Sequence, residues 1–304
     1  MPSDRFKIYM QHNPMGGGMP GMENMPVPGM KTESGEWKVP TMPVGFKPVM
    51  PPIPAGFIGE EIIINSIKGV RVSAPNVKKG QAFMHIHGGG FTMGSAVFGV
   101  PFMLYLVKKL QIECYSIEYS LAPKYKFPTQ INECLAFYKG LLEKGYEKIV
   151  IGGESAGGNL SIAVTHCIKD NNLPLPVAVI ALSPAADMSP DRVLYKSDPL
   201  SEMIDVIVTA YAGNAELINP YLSPVYGDFQ GFPPLLLQAG SNESLAGGSV
   251  HLAEAAAKAD VEVLLHVWKD MGHCFAQEFG NYPEADSAMQ EISNFIKDMI
   301  EFGS

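Results

Sequence analysis

The stretch Lys148 to Leu160, KIVIGGESAGGNL, constrains this chain more than any other, because it reads as a buried strand that turns abruptly into a helix. Ile149, Val150 and Ile151 form a short apolar run, the pattern of a parallel strand covered on both faces. Gly152 and Gly153 end it, and Gly157 and Gly158 follow on the other side of Ser155. Gly153 to Gly157 therefore spell G-x-S-x-G. A residue at so tight a strand-to-helix turn takes a strained backbone conformation, tolerable only where its neighbours lack bulky side chains. The turn raises the serine oxygen above the sheet edge, beside the N–H groups of a helix start. A strand-ending turn with an idle surface serine would share the pentapeptide, so the decision falls to the rest of the chain.

With 46% hydrophobic residues in 304, the chain can bury a large core, as one big α/β domain or two small ones. From Glu60 onward strands and helices alternate. EEIIINSI and GVRVSAP read as two strands joined around Lys68-Gly69, and QAFMHIH (Gln81–His87) as a third. Val97–Leu110 reads as a helix, Ile112–Tyr119 as a strand and Thr129–Lys144 as a helix opened by Pro128. A further helix runs from the serine turn to Lys169, followed by strand Val177–Leu182. Leu235–Ala239 and Val263–Trp268 are the last strands, accompanied by helices over Ser249–Ala259 and Pro283–Ile300. This alternation predicts right-handed crossovers and a mostly parallel central sheet with helices on both faces, a single α/β domain over residues 1–304.

Two segments interrupt the pattern. Residues 185–234 loosen into turns and short helices, the expected place for a cap insertion. Residues 1–55 are crowded with Met, Gly and Pro, as in MGGGMPGMENMPVPGM, a density that opposes regular helix and central strand. They read either as an extended arm or as part of a lid, whose deformable methionines cover an apolar cleft.

In such sheets chemistry collects at the carboxyl ends of the strands. One of them runs into His87-Gly88-Gly89-Gly90-Phe91, another into Gly153-Glu154-Ser155-Ala156-Gly157-Gly158-Asn159, and a third into Tyr119-Ser120-Leu121-Ala122-Pro123 with Phe127-Pro128. In their order along the chain, these blocks resemble the hormone-sensitive-lipase-like (family IV) branch of the α/β-hydrolase esterases, over roughly Glu60 to Ile300. The resemblance implies an α/β-hydrolase fold and a serine carboxylesterase acting on short- to medium-chain acyl esters. Its substrate is a small-molecule ester, and no metal or organic cofactor is implied. Dimerisation through an edge strand is common in that family, so a homodimer is expected. Amidase, lactonase or deacetylase activity would use the same machinery. A non-catalytic, receptor-like relative would keep the pocket and lose the histidine.

The residues themselves agree. Glycines after a strand let backbone N–H groups approach a carbonyl as it becomes tetrahedral, so Gly89 and Gly90, with Gly88 as a candidate contributor, supply one side of an oxyanion hole. The N–H of Ala156 supplies the other. A serine needs a base. Of seven histidines, His85 and His87 precede the glycines, His166 and His251 lie on helices, His266 lies within a strand and His12 in the arm. Only His273 falls in the loop after the last strand, where this fold keeps its base and where the resemblance also points. The acid should follow strand Leu235–Ala239, and Glu243 is the only carboxylate in that loop, aligned where the family usually has an aspartate. Ser244 replaces the proline usual after it. Asp198-Pro199-Leu200 spells the family motif better but precedes the required strand, and Asp187 reads as structural. Glu154 and Ser120 stand where the family commonly has Asp and Arg.

A net charge of -9 and the lack of a basic run exclude a nucleic-acid or anionic-membrane surface. No apolar run is long enough to span a bilayer, and MPSDRFKIYMQHNP lacks a signal-peptide core. Cys114, Cys134, Cys167 and Cys274 have no C-x-x-C spacing and read as free thiols, which with the missing leader predicts a cytoplasmic protein.

Overall fold

The computed structural model describes residues 2–12, 31–32 and 34–302. Among them, one sheet holds β1 (Ile58–Ile64), β2 (Ile67–Ser73), β3 (Gln81–Ile86), β4 (Glu113–Ile117), β5 (Lys148–Glu154), β6 (Ala178–Leu182), β7 (Leu235–Gly240) and β8 (Val263–Trp268). The helices are α1 (Asp4–His12), α2 (Val100–Leu110), α3 (Thr129–Glu143), α4 (Ala156–Asp170), α5 (Pro199–Ala212), α6 (Ala246–Lys258) and α7 (Pro283–Phe302). The strand order is β1-β2-β4-β3-β5-β6-β7-β8. β2 runs antiparallel to both β1 and β4, and the pairings from β4 across to β8 are parallel.

The central strands are mostly apolar because both faces are covered, and their apolar side chains alternate between two cores with a period of two. On β5, Val150 joins one core while Ile149 and Ile151 join the other; on β3, Phe83 opposes Ala82 and Met84 in the same way. Helices α2 and α7 cover the first face, with Phe102, Met103, Met289 and Ile292 in its core. Helices α3 and α4 cover the second through Phe137, Tyr138, Leu160 and Val164, and α6 extends that face over β6 and β7 through Leu252 and Ala256.

Three local expectations differ. The β1–β2 turn lies at Asn65-Ser66, not around Lys68-Gly69; both turn residues have positive φ, 46° and 68°, as a tight two-residue hairpin requires. The 185–234 segment is turn-rich as expected, but its helical content is one 14-residue helix, α5, and a single short 3-10 turn at Pro224–Tyr226. The arm begins with a helix, α1, held by tertiary contacts: Phe6 is buried edge-on against Tyr282, and Ser3 bonds the Glu284 carboxylate. The stretch MGGGMPGMENMPVPGM lies outside the described residues. Beyond it, Met42, Phe46, Met50 and Ile53 rest against the first core with no regular structure, as their prolines dictate. No helix among the described residues is long and apolar enough to cross a membrane.

Candidate active site

The site stands at the carboxyl edge of the parallel strands. β5 ends at Glu154 and α4 begins at Ala156, so Ser155 makes the whole turn, with φ 54° and ψ -116°. Such a conformation costs about 1–3 kcal/mol in a residue with a side chain. It persists because the strand and helix close on each other: a Cβ at Gly153 would lie 2.2 Å from the Ile86 carbonyl oxygen, and one at Gly157 only 1.9 Å from it. The pentapeptide's glycines are thus contacts with β3. Ser155 is held on both sides by the loop after β6, its N–H donating to Leu182 O at 2.8 Å and its carbonyl accepting from Ala185 N–H at 3.2 Å.

The glycine loop after β3 lies alongside. Gly89 and Gly90 have φ 111° and 60°, and their N–H groups take no partner among the described residues. The N–H of Ala156, in the first turn of α4, is free of intrahelical bonding by helix geometry. The Gly88 N–H is different: it donates to Glu154 Oε1 at 2.7 Å. This removes Gly88 from the candidate oxyanion donors and leaves Gly89, Gly90 and Ala156. Glu154 Oε2 meets His85 Nε2 at 2.9 Å, so this buried carboxylate anchors the loop from behind. Burial alone would raise its pKa, but His85 and the Gly88 N–H hold it below the ordinary carboxylate value. His87 also orders the loop: its Nδ1–H donates to Gly88 O at 2.8 Å, and its ring stacks on Tyr119 with centroids 4.1 Å apart. Burial lowers the His87 pKa and keeps the ring neutral.

His273 and Glu243 come from the loops after β8 and β7. Glu243 is fully buried; its Oε2 accepts from His273 Nδ1 at 2.7 Å and its Oε1 accepts from the Gly240 N–H at 2.9 Å. The two loops approach so closely that a Cβ at Gly240 would lie 2.1 Å from Met271 O. They are tied by Ser241 N–H to Trp268 O at 2.8 Å and Asn242 N–H to Met271 O at 2.9 Å. On the other side of the imidazole, Cys274 N–H donates to Ser183 Oγ at 3.0 Å, within the same 182–185 loop that holds Ser155. No hydrogen bond joins the Ser155 hydroxyl to the imidazole in this state; such contacts commonly close only with substrate in place.

With Nδ1–H given to Glu243, Nε2 is the nitrogen left to accept a proton. Burial works to lower the imidazole pKa, but Cys274 and Glu243 outweigh it and raise the value well above the ordinary one. Burial likewise pushes the Cys274 thiol up, so it stays protonated near neutrality and Glu243 is the partner that acts there. The imidazole side chain is 29% exposed, which leaves it open to substrate. The other histidines lie apart from this arrangement: His166 is buried against Phe229 and Phe232, and His266 stacks on Trp268.

Two functional arrangements were not read from the sequence. The Glu154 anchor occupies the variable position of G-x-S-x-G, where a charge next to a nucleophile and buried in glycines was the available signal. Ser120 in turn needs no arginine, because its N–H and hydroxyl both donate to the Glu133 carboxylate.

Residues 83–277 match the model of a family described as alpha/beta hydrolase fold. An esterase of Acinetobacter venetianus is 29% identical over 77% of this chain and 80% of its own length. An acetyl-hydrolase of Streptomyces hygroscopicus is 28% identical over 73% of this chain and 77% of its own. The crystal structure of an esterase from the bacterial hormone-sensitive lipase family superposes with a TM-score of 0.77 at 31% identity, covering 82% of this chain and 86% of that one.

Proposed function

Because the chain belongs to the alpha/beta hydrolase fold family, on its hormone-sensitive-lipase-like branch, and is a carboxylic ester hydrolase, we propose that it works through a Ser155-His273-Glu243 triad. One observation carries this reading. The His273 Nδ1 stands 2.7 Å from the buried Glu243 carboxylate, on a loop that shares the 182–185 anchor with the strained Ser155 turn.

The Ser155 hydroxyl attacks the ester carbonyl carbon while His273 Nε2 takes its proton. Glu243 holds the imidazole tautomer and stabilises the imidazolium that forms. The carbonyl oxygen, now negative, receives the N–H groups of Gly89, Gly90 and Ala156, each such donor worth about 3 kcal/mol in the transition state. The C–O bond breaks, the alcohol leaves with the proton from His273, and an acyl-Ser155 ester remains. Water repeats the sequence, releasing the carboxylic acid and restoring the serine. No step calls for a metal or an organic cofactor. A receptor-like role is disfavoured by the retention of His273 with its carboxylate partner.

The substrates in this reading are short- to medium-chain acyl esters, including acetyl esters, in an apolar pocket. Its cap is made by α5 and the N-terminal arm. Two observations support that assignment. Ile207 of α5 rests on the oxyanion glycine Gly90, and the arm reaches α5 where Trp37 Nε1 donates to Glu202 at 3.2 Å and Lys31 pairs with the same carboxylate. Hydrolysis of p-nitrophenyl butyrate tests the mechanism. The wild-type protein cleaves it and Ser155→Ala loses at least about a thousandfold in kcat. Undiminished turnover by that variant would remove the mechanism.

A further inference from the structure

We infer that Asp198 is a positioning residue for ester hydrolysis: from the start of α5 its carboxylate fixes the backbone of the loop that carries Glu243. The inference rests on the reading of Glu243 as the triad acid.

On the N-terminal side of Glu243, Ser241 and Asn242 are tied to the histidine loop, and the Glu243 N–H itself makes only a long 3.4 Å bond to Gly240 O. On the C-terminal side, Ser244 turns to a different partner. Its N–H donates to Asp198 Oδ2 at 2.8 Å, and its carbonyl accepts from Tyr195 N–H at 3.2 Å. Ser244 is fully buried, so that N–H has no water to turn to and an acceptor is obligatory. A proline at 244 would have no N–H and a φ fixed by its ring; serine has neither restraint, and Asp198 provides one. A carboxylate acceptor makes this bond stronger than a neutral one. The requirement is sharper for a glutamate, whose extra methylene lets its carboxylate wander unless the backbone beneath is held.

The other oxygen of Asp198 is already in use. Oδ1 accepts from Ser201 N–H at 2.7 Å, in a capping box that opens α5. Both oxygens are spent on backbone N–H groups, which excludes Asp198 as the triad acid and makes it a joint between a helix and a catalytic loop. The same helix continues to the opposite side of the site. Ile207 stands 3.2 Å from the position of a Cβ on Gly90, and Tyr211 lies flat on Phe91 with centroids 3.8 Å apart. One rigid element thus touches the acid loop at its start and the oxyanion loop in its last turns, with Asp198 as its bond to the former.

The test is a double-variant cycle read with p-nitrophenyl butyrate. Asp198→Ser keeps one oxygen to cap α5 but leaves none for Ser244. With the buried Ser244 N–H left without an acceptor it is expected to melt a few degrees below wild type, to keep KM within about twofold, and to lose at least about tenfold in kcat. Because Asp198 acts through Glu243, the double variant with Glu243→Gln should be no slower than Glu243→Gln alone. Losses that multiply, or wild-type kcat in Asp198→Ser beside an impaired Glu243→Gln, would overturn the inference and leave the triad standing. Wild-type kcat in Glu243→Gln would instead overturn the triad reading itself. If Asp198→Ser melts far below wild type, Asp198→Ser with Ser244→Pro separates the two roles. Recovery of kcat without recovery of the melting temperature supports positioning, and recovery of neither leaves Asp198 as a helix cap only.

Discussion

At the scale of single residues, two side chains are held in unfavourable circumstances. Ser155 keeps a left-handed φ of 54° because Gly153 and Gly157 are pressed onto the Ile86 carbonyl, leaving the turn no relaxed alternative. His273 sits beside a carboxylate that favours its charged form. In the proposed mechanism the base works as the neutral imidazole, so activity falls away below the His273 pKa and grows as pH rises through it. An unperturbed imidazole would place that rise near pH 6.5. With the pKa raised by Glu243, kcat/KM should reach half its maximum above that value, and in Glu243→Gln the midpoint should move down. Initial rates over pH 5 to 10 on both proteins read this directly. A wild-type midpoint at or below 6.5, or one that Glu243→Gln leaves in place, would remove Glu243 from contact with the base.

At the scale of elements, the sheet is a frame that delivers three loops to one edge, and those loops were legible. The serine turn is written as an apolar run with glycines at fixed offsets, the glycine loop as HGGG after a strand, and the loop of the proposed base by the lone histidine after the last strand. The illegible parts depend on distant partners. Nothing local in Asp4–His12 marks a helix that needs Tyr282 and Glu284 to form. Asp198 looked like a misplaced acid motif, because its partner is the backbone N–H of Ser244, which has no side-chain signature. Gly88 was grouped with its neighbours because identical glycines do not reveal which N–H is already taken by Glu154.

The described arm contact on α5 converges on Glu202, which receives Trp37 and Lys31 at a solvent-exposed position. Exposed pairs of this kind contribute at most about 1 kcal/mol, so the contact of Lys31 and Trp37 with α5 is a weak one. Removing it with Glu202→Ala should shift the ratio of octanoate to acetate hydrolysis by up to about fivefold, the equivalent of that energy. An unchanged ratio across p-nitrophenyl esters of increasing chain length would separate the arm from the pocket.

At the scale of the whole molecule, a sheet whose central strands are buried on both faces is a frame that carries the candidate site at one edge. The parallel strands deliver the Ser155 turn and the loop of His273 and Cys274 to the same edge, and both loops bond to the 182–185 segment, through the Ser155 backbone and the Cys274 N–H. The central claim is that this assembly makes one hydroxyl among the chain's many serines nucleophilic. Labelling with a fluorophosphonate, followed by peptide mass mapping, tests it most directly. The account predicts a single adduct on the peptide containing Ser155, abolished in Ser155→Ala and greatly slowed in His273→Ala. An adduct on another residue, or equal labelling without His273, would contradict it.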